Sequence, residues 1–475
     1  MKKLKYIFLV LVISGLSACD DFFDINDDPN RVSEEEITLE SLLAPTLEST
    51  ARNYYRVAFT TSQISQQTGS VFGGGADSHN EFTLATAWTG IYLTALTNLD
   101  KIVDLGEQQE SPYYTGIAKV MQAVNLGLAT DQWGDVPWTE AFSGESILTP
   151  KFDSQESIYT LIQELLTDAI TDLSQENSIF VPGDDDIIYN GNIENWIKAA
   201  HSLKARYFIR LTKRDGATAA NNALNSLANG FTSNNDDLQL VYNEVIRNPW
   251  HLTPALANNT GNASIAIGEQ LINAMNGTTY PTFDPRLPII ADNGDATDYT
   301  GIENGTGNGG NSDFSETTWY STETAPVLMM TYAELKFIEA EANQIVNSGS
   351  SDAYDAYIGG ITAHMDKLEV DATERDDYIN DPSVSVGAGN LGIEEIMKEK
   401  YIALFISPEA WSDLRRYDYD PTIFLNFDLP QEHNPALNGE FIRRVLYPND
   451  EFSRNLSEVS KVEKGLGEPV WWDQN

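Results

Sequence analysis

Apolar residues recur at three- and four-residue steps along most of the chain, the signature of amphipathic helices. The clearest case is Ile158, Leu161, Ile162, Leu165, Leu166, Ala169 and Leu173, which share one helical face behind the capping segment Asp153-Ser154-Gln155-Glu156. Asn192 opens a second, on which Trp196, Ala200, Leu203, Tyr207 and Leu211 line up. The same periodicity predicts helices around 37–67, 82–104, 112–130, 264–276, 331–347, 352–369 and 393–406. Strand signals are few. Leu238-Gln239-Leu240-Val241-Tyr242, bounded by an Asn/Asp cluster, reads as one short strand. The pattern predicts a mainly α protein with a few short strands.

Two stretches break the periodicity. Residues 68–80 and 292–325 are rich in Gly, Asn, Asp, Ser and Thr; loops of such length in a compact domain are usually functional or disordered, and Tyr299, Trp319 and Tyr320 in the second argue for function. Helical patterns resume on both sides of each, so no domain boundary is expected within residues 37–475.

The N-terminus reads as an address. Lys2, Lys3 and Lys5 precede an unbroken apolar run from Tyr6 to Ile13, far short of the roughly 20 residues a membrane-spanning helix needs. Residues 1–18 are therefore expected to be a signal peptide. Cys19 is the single cysteine, which excludes an intramolecular disulfide. Leu16-Ser17-Ala18-Cys19 resembles a bacterial lipobox, which implies acylation of Cys19 and a lipid anchor as the only membrane attachment. The acidic segment 19–36 reads as a tether.

Charge then excludes whole classes of function. Lys and Arg total 29 against 71 Asp and Glu, a net charge of −42, and no basic stripe offers contacts to phosphates. No nucleic-acid partner is expected. Lys198, Lys204, Arg206, Arg210, Lys213 and Arg214 concentrate on one helix and are expected to pair with neighbouring carboxylates.

Catalytic signatures fail one by one. Gly305-Thr306-Gly307-Asn308-Gly309-Gly310 matches G-x-G-x-x-G, but polar residues flank it where a dinucleotide site needs a buried strand and a helix. The five histidines lack zinc-ligand spacing. Asp184-Asp185-Asp186 and Asp292-x-x-Asp295-x-x-Asp298 carry oxygen ligands that suit calcium, yet neither has EF-hand spacing, so solvated acidic turns and no cofactor are expected. Aromatic residues remain as binding chemistry. Trp250 in Asn248-Pro249-Trp250-His251 and Trp319-Tyr320 in the long loop lack helical neighbours to pack against. Flat side chains on loops suit stacking on a sugar face with hydrogen bonds around it. Trp88 and Tyr92, four apart, read first as core. The ligand-binding candidates are thus Trp250, Trp319, Tyr320, Trp88 and His251, and no catalytic residue is assigned.

A set of segments in order along the chain carries a resemblance. They are Asp131-Gln132-Trp133-Gly134-Asp135-Val136-Pro137-Trp138-Thr139-Glu140-Ala141, Asn248-Pro249-Trp250, Asp284-Pro285-Arg286-Leu287 and Met330-Thr331-Tyr332-Ala333-Glu334 running into Glu339-Ala340-Glu341-Ala342. Lys398-Glu399-Lys400-Tyr401-Ile402-Ala403-Leu404-Phe405, Ala410-Trp411-Ser412-Asp413-Leu414-Arg415-Arg416 and Arg443-Arg444-Val445-Leu446-Tyr447-Pro448 complete it. Together with the lipobox they resemble the SusD/RagB lipoproteins of the Bacteroidetes, most closely the SusD-like branch. The acidic segment after Cys19 likewise looks like the export signal that places such lipoproteins on the outer face of the outer membrane. The resemblance implies a TPR-like right-handed helical superhelix with a loop-rich ligand-binding half. It also implies a non-catalytic role: capture of oligosaccharide at the cell surface and delivery to a SusC-like TonB-dependent transporter. A peptide receptor of the same architecture and a surface glycoside hydrolase are the alternatives. The shared motifs are expected to serve the fold and the transporter interface more than the ligand.

Overall fold

The computed structural model describes residues 37–80 and 83–474. The signal segment, Cys19 and the acidic tether lie outside the described residues.

Helices dominate, and most begin where the side-chain chemistry says they should. In α1 (Leu39–Ile64) the Thr38 hydroxyl accepts from the Ser41 amide and Ser41 reciprocates. A short helix, α2 (Ala85–Thr89), passes through a π-helical stretch, Gly90–Leu96, into α3 (Thr97–Gln108). Pro112 occupies the first turn of α4 (Pro112–Trp133), where its missing N–H costs nothing. Ser154 caps α5 (Gln155–Leu173) and Asn192 caps α6 (Ile193–Ile209), both as the sequence predicts. The expected faces are inside: Ile158, Ile162, Leu166, Trp196, Ala200 and Leu203 are all fully buried. α7 (Ala217–Leu227) follows.

The later half adds α8 (Glu269–Met275), α9 (Tyr332–Val346), α10 (Ser351–Lys367), α11 (Ile393–Ala403), α12 (Pro408–Arg416) and α13 (Asn449–Arg454). Helices α3 to α7 each pack on the next, α9 packs on α7, and α10 packs on α9. Stacked hairpins of this kind build one continuous core, because no single pair could bury its apolar stripe alone.

Two small sheets lie beside the helical stack. β1 (Thr68–Ser70) pairs antiparallel with β3 (Ile265–Ile267), and β2 (Leu238–Val241) pairs antiparallel with β4 (Pro326–Met330). β2 is the strand expected from the sequence. The helix expected over 264–276 is corrected: Ile265-Ala266-Ile267 is a buried strand, and the helix starts at Glu269. A short apolar run cannot be told from a helical turn by periodicity alone, and its partner β1 is remote in sequence.

The two expected loops are present, except that the first opens with strand β1, and they hold each other. The Gly74 amide donates to Gly305 O, the Gly305 amide to the Asp77 carboxylate and the Ser78 hydroxyl to Gly305 O. The Gly-rich match around Gly305 is a hairpin clamp, not a phosphate cradle. At Gly307, φ is +73° and a Cβ would lie 2.6 Å from the Gly73 nitrogen, so the two backbones meet where only glycine fits.

The shared sequence segments converge in the interior as a charge network. Arg286 is fully buried and its guanidinium bridges Asp284 and Glu399, each at 2.5 Å. The same guanidinium donates to His364 Nδ1 at 3.2 Å. Arginine can only donate, so Nδ1 accepts and the neutral ring donates Nε2–H to the Tyr320 oxygen at 3.0 Å. Arg416 bridges Glu341 at 2.6 Å and Asp413 at 2.7 Å, with Lys400 completing the cluster. Arg206 pairs with Glu334 at 2.6 Å, and Arg210 pairs with Glu409 and Asp131.

The six basic residues do not share one helix, because α6 ends at Ile209 and Lys213 and Arg214 lie on the separate turn Thr212–Asp215. They pair largely as expected: Lys198 meets Asp236 and Lys213 meets Asp418 and Asp473. Two members depart. Lys204 donates to the Thr167 hydroxyl, and the Arg214 guanidinium lies over the Trp471 ring at 4.5 Å. Asp186 departs from the expected solvated turn. It is buried, accepting from the amides of Ile188, Tyr189 and Gly191 and from the Trp196 indole. Its oxygens serve the loop, leaving little for an ion.

Candidate functional site: an aromatic groove

Three of the loop aromatics expected to meet a ligand are inside the protein. Trp250 is 2% exposed, stacked on Phe314 at 5.7 Å and edge-on to Tyr55 at 4.9 Å. Both ring faces are covered, which corrects its assignment as a stacking platform. Tyr320 is buried against Phe405 and bonded to His364. His251 is buried with Nδ1 at 3.2 Å from Ser321 O. Trp250 and Tyr320 border a cavity of about 20 Å³, which holds one water at most. Trp319 is half-buried, edge-on to Tyr320 at 4.8 Å.

The reason lies in Asn248. Its Oδ1 accepts from the Trp250 amide at 2.9 Å while its Nδ2 donates to Tyr320 O at 2.8 Å. That clamp ties the Trp250 turn to a loop some 70 residues away and rolls the indole inward.

Trp88 is different, because it borders an open groove of about 350 Å³ between the π-helical stretch and α13. Its walls include Tyr92, Leu93, Pro137, Pro150, Glu451 and Arg454. A π-bulge widens a helix by one residue and often marks functional sites. Here it begins at Gly90, where a Cβ would lie 2.1 Å from the Asn53 oxygen, so the segment presses on α1. The opposite side then carries Leu93, 70% exposed, and the half-buried Tyr92 into the groove.

The groove floor is rigid. Trp88 is 6% exposed, edge-on to Trp133 at 4.9 Å and stacked on Phe152 at 6.2 Å. It presents an edge rather than a face. Its indole N–H donates to Glu451 Oε1 at 3.1 Å, and the Tyr92 hydroxyl donates to Pro137 O at 2.9 Å. Trp133 and Tyr447, from two of the shared segments, back this floor, and Pro448 caps α13 directly after the last of them. Burial pushes the Glu451 carboxyl up, and the neighbouring Asp450 adds to the rise against the pull of the Trp88 indole. Sequence reasoning missed Tyr92, Leu93, Glu451 and Arg454. The one available signal was the Trp88–Tyr92 spacing, which fits a core face equally well.

A wider trough of about 730 Å³ runs between α5 and α6, past Glu156, Gln163, Asp168, Phe208 and Trp471. Arg214 covers a face of Trp471 there. Among the described residues no group of three or more His, Cys, Asp or Glu is placed to hold a metal ion, and no helix is long and apolar enough to cross a membrane.

With this geometry in hand, the relationship to known proteins is decided by one match. The sequence model of a SusD-like family, described as starch-binding and associating with the outer membrane, matches residues 29–448. The chain belongs to the SusD-like family. Solved structures agree in fold. A SusD/RagB family protein from Bacteroides thetaiotaomicron superposes with a TM-score of 0.75 at 26% identity, covering 92% of this chain and 99% of its own. A SusD homologue from Bacteroides uniformis gives 0.75 at 20% identity, with 92% and 99% covered. A chitin-binding SusD homologue from Flavobacterium johnsoniae gives 0.75 at 21%, also with 92% and 99% covered. A search of the curated proteins gives no match. The TPR-like helical architecture implied by the sequence resemblance is thus the fold of this SusD-like protein.

Proposed function

We propose that this SusD-like protein is a non-catalytic receptor that captures oligosaccharide at the cell surface and passes it to a SusC-like TonB-dependent transporter. In this reading acylated Cys19 anchors the chain in the outer membrane and the acidic segment 19–36 spaces the receptor from the lipid. The observation that carries it is the groove of Trp88, Tyr92 and Glu451: an aromatic and apolar wall facing polar groups, at a volume within the usual range for small-ligand sites. Sugars are recognised by that combination, with apolar ring faces against side chains and hydroxyls against acceptors.

Binding without cleavage also suits the acids. Asp450 and Glu451 are neighbours on one helix and one wall, whereas glycoside hydrolysis needs two carboxyl groups flanking the scissile bond. Capture and release is then the whole task.

The test is calorimetric titration of the full chain in detergent with neutral oligosaccharides of starch and chitin type. Ala85 is exposed on the groove wall, so Ala85→Trp fills the groove without touching the core. One glycan class is expected to bind, and Ala85→Trp is expected to weaken it at least tenfold, about 1.4 kcal/mol, with an unchanged unfolding midpoint. Sugar binding that ignores this variant would move the site elsewhere, and binding of peptides alone would replace the sugar reading.

A further inference from the structure

The groove lining divides by element. The residues from α13 are polar: the Asn449 amide, the Arg454 guanidinium and the carboxylates of Asp450 and Glu451. Arg454 stands 3.8 Å from Asp450 and its charge also acts on Glu451, so the acids have a cation beside them. The residues from other elements are mostly aliphatic: Ala85, Leu93, Pro137, Ala141 and Pro150, with Thr83 and Thr89 as the hydroxyls among them. Neither proline has an N–H, and both carbonyls are engaged. Pro137 O accepts from the Tyr92 hydroxyl at 2.9 Å, and Pro150 O accepts from the Asn455 amide at 2.8 Å. The first of these bonds joins the π-helical stretch to the 137–141 turn, which the Ala141 amide closes on Trp138 O at 3.0 Å. Leu93, the residue after Tyr92, is 70% exposed and lines the same groove. Aromatic planes are scarce here, since Trp88 shows an edge and the Tyr92 ring is tilted against it with centroids 4.7 Å apart.

We propose that the groove selects a sugar carrying an exocyclic methyl group, on an acetamido or a 6-deoxy residue, and that Leu93 is the specificity-determining side chain. This rests on the sugar-receptor reading above. A ring hydroxyl laid against these aliphatic side chains gives up water and finds no partner, whereas a methyl group is buried there at a gain. Hydroxyls elsewhere on the sugar meet Asn449, Asp450, Glu451 and Arg454, which supply both donors and acceptors. An apolar subsite that reads one methyl group discriminates by about 10- to 200-fold.

The test is calorimetric titration of the full chain in detergent with two matched pairs of sugars. One is a β-1,4-linked N-acetylglucosamine trimer against cellotriose, which carries hydroxyls in place of the acetamido groups. The other is L-fucose against L-galactose, which differ only in whether the terminal carbon is a methyl or a hydroxymethyl group. In one pair the methyl-bearing member is expected to bind at least tenfold more tightly, and which pair it is separates the acetamido from the deoxy source. Leu93→Asn alters a side chain that is already exposed, so the unfolding midpoint is expected to stay unchanged while that pair comes within threefold. Equal affinities within both pairs would overturn the methyl selection and leave the sugar receptor standing. Binding of maltotriose with silence from both pairs would do the same. A preference that survives Leu93→Asn would overturn the assignment of this residue. Silence from all five sugars would sink both the inference and the reading beneath it.

Discussion

Replacing Arg286 with alanine is expected to destabilise the protein by about 3–5 kcal/mol, the cost of stranding buried charge without its partner. The arginine is fully buried, with Asp284 and Glu399 each 2.5 Å from its guanidinium and the His364 ring taking a further hydrogen bond. Removing it strands the Asp284 carboxylate without its ion-pair partner, leaves Glu399 with Lys398 alone, and frees His364 to turn away from Tyr320. Urea unfolding followed by tryptophan fluorescence reads the change as a lowered midpoint at constant slope. A companion substitution sharpens the argument. Tyr378 donates to Glu399 from outside the bridge, so Tyr378→Phe is expected to cost only about 1–2 kcal/mol. Equal losses from the two would mean that packing, not charge, holds the cluster.

The second large effect is a stability profile with a maximum on the acid side of neutral. Burial alone would push the Glu399 carboxyl up, but Lys398 and Arg286 outweigh it and hold it at about 2. Asp413 is buried likewise, and Lys400 and Arg416 draw it down to about 2. Both carboxylates are more acidic folded than unfolded. Their contribution, on the order of 2–3 kcal/mol each, is complete above the unfolded values near 4 and is lost as pH falls towards 2. Asp313 runs the other way. Burial pushes its carboxyl up to about 6 in spite of the Phe314 amide and Asn258, and Asp292 adds to the rise. Its folded form binds a proton that the unfolded chain releases, so stability grows as pH falls from above 6 towards 4. Thermal midpoints measured from pH 8 to pH 2 are expected to rise slightly to about pH 5 and then drop steeply. Asp313→Asn is expected to flatten the rise and leave the drop in place. A profile flat from pH 5 to pH 2 would contradict the charge network as the source of acid sensitivity.

Those two results bear on what could be seen in the sequence. The caps at Ser154 and Asn192 and the buried faces behind them were legible because the rules that govern them are local. So was the character of the loops at 68–80 and 292–325. Their mutual clamp through Gly305 and Asp77 was not, because it joins residues more than 220 apart in the chain. The charged motif residues were correctly read as serving the fold, yet their pairing could not be read. With 71 acids available, proximity to a given arginine is decided by packing alone. The loop aromatics failed for a related reason. Lack of helical periodicity says that Trp250 lies outside regular structure, and says nothing about which side of the loop faces the core. Trp88 was read first as core and is nearly that, since only its edge reaches the groove. What gives the site its chemistry is Glu451, 363 residues further on, an ordinary acid among many until the fold sets it beside an indole.

The measurement that tests the central claim most directly is a crystal structure of the protein soaked with the tightest-binding oligosaccharide from the titrations. The account expects an intact sugar chain in the groove between Tyr92, Leu93 and Glu451, with a polar group of the ligand within hydrogen-bond distance of the Glu451 carboxylate. A sugar bound instead against Trp319 or in the trough beside Trp471, or one found cleaved, would contradict it.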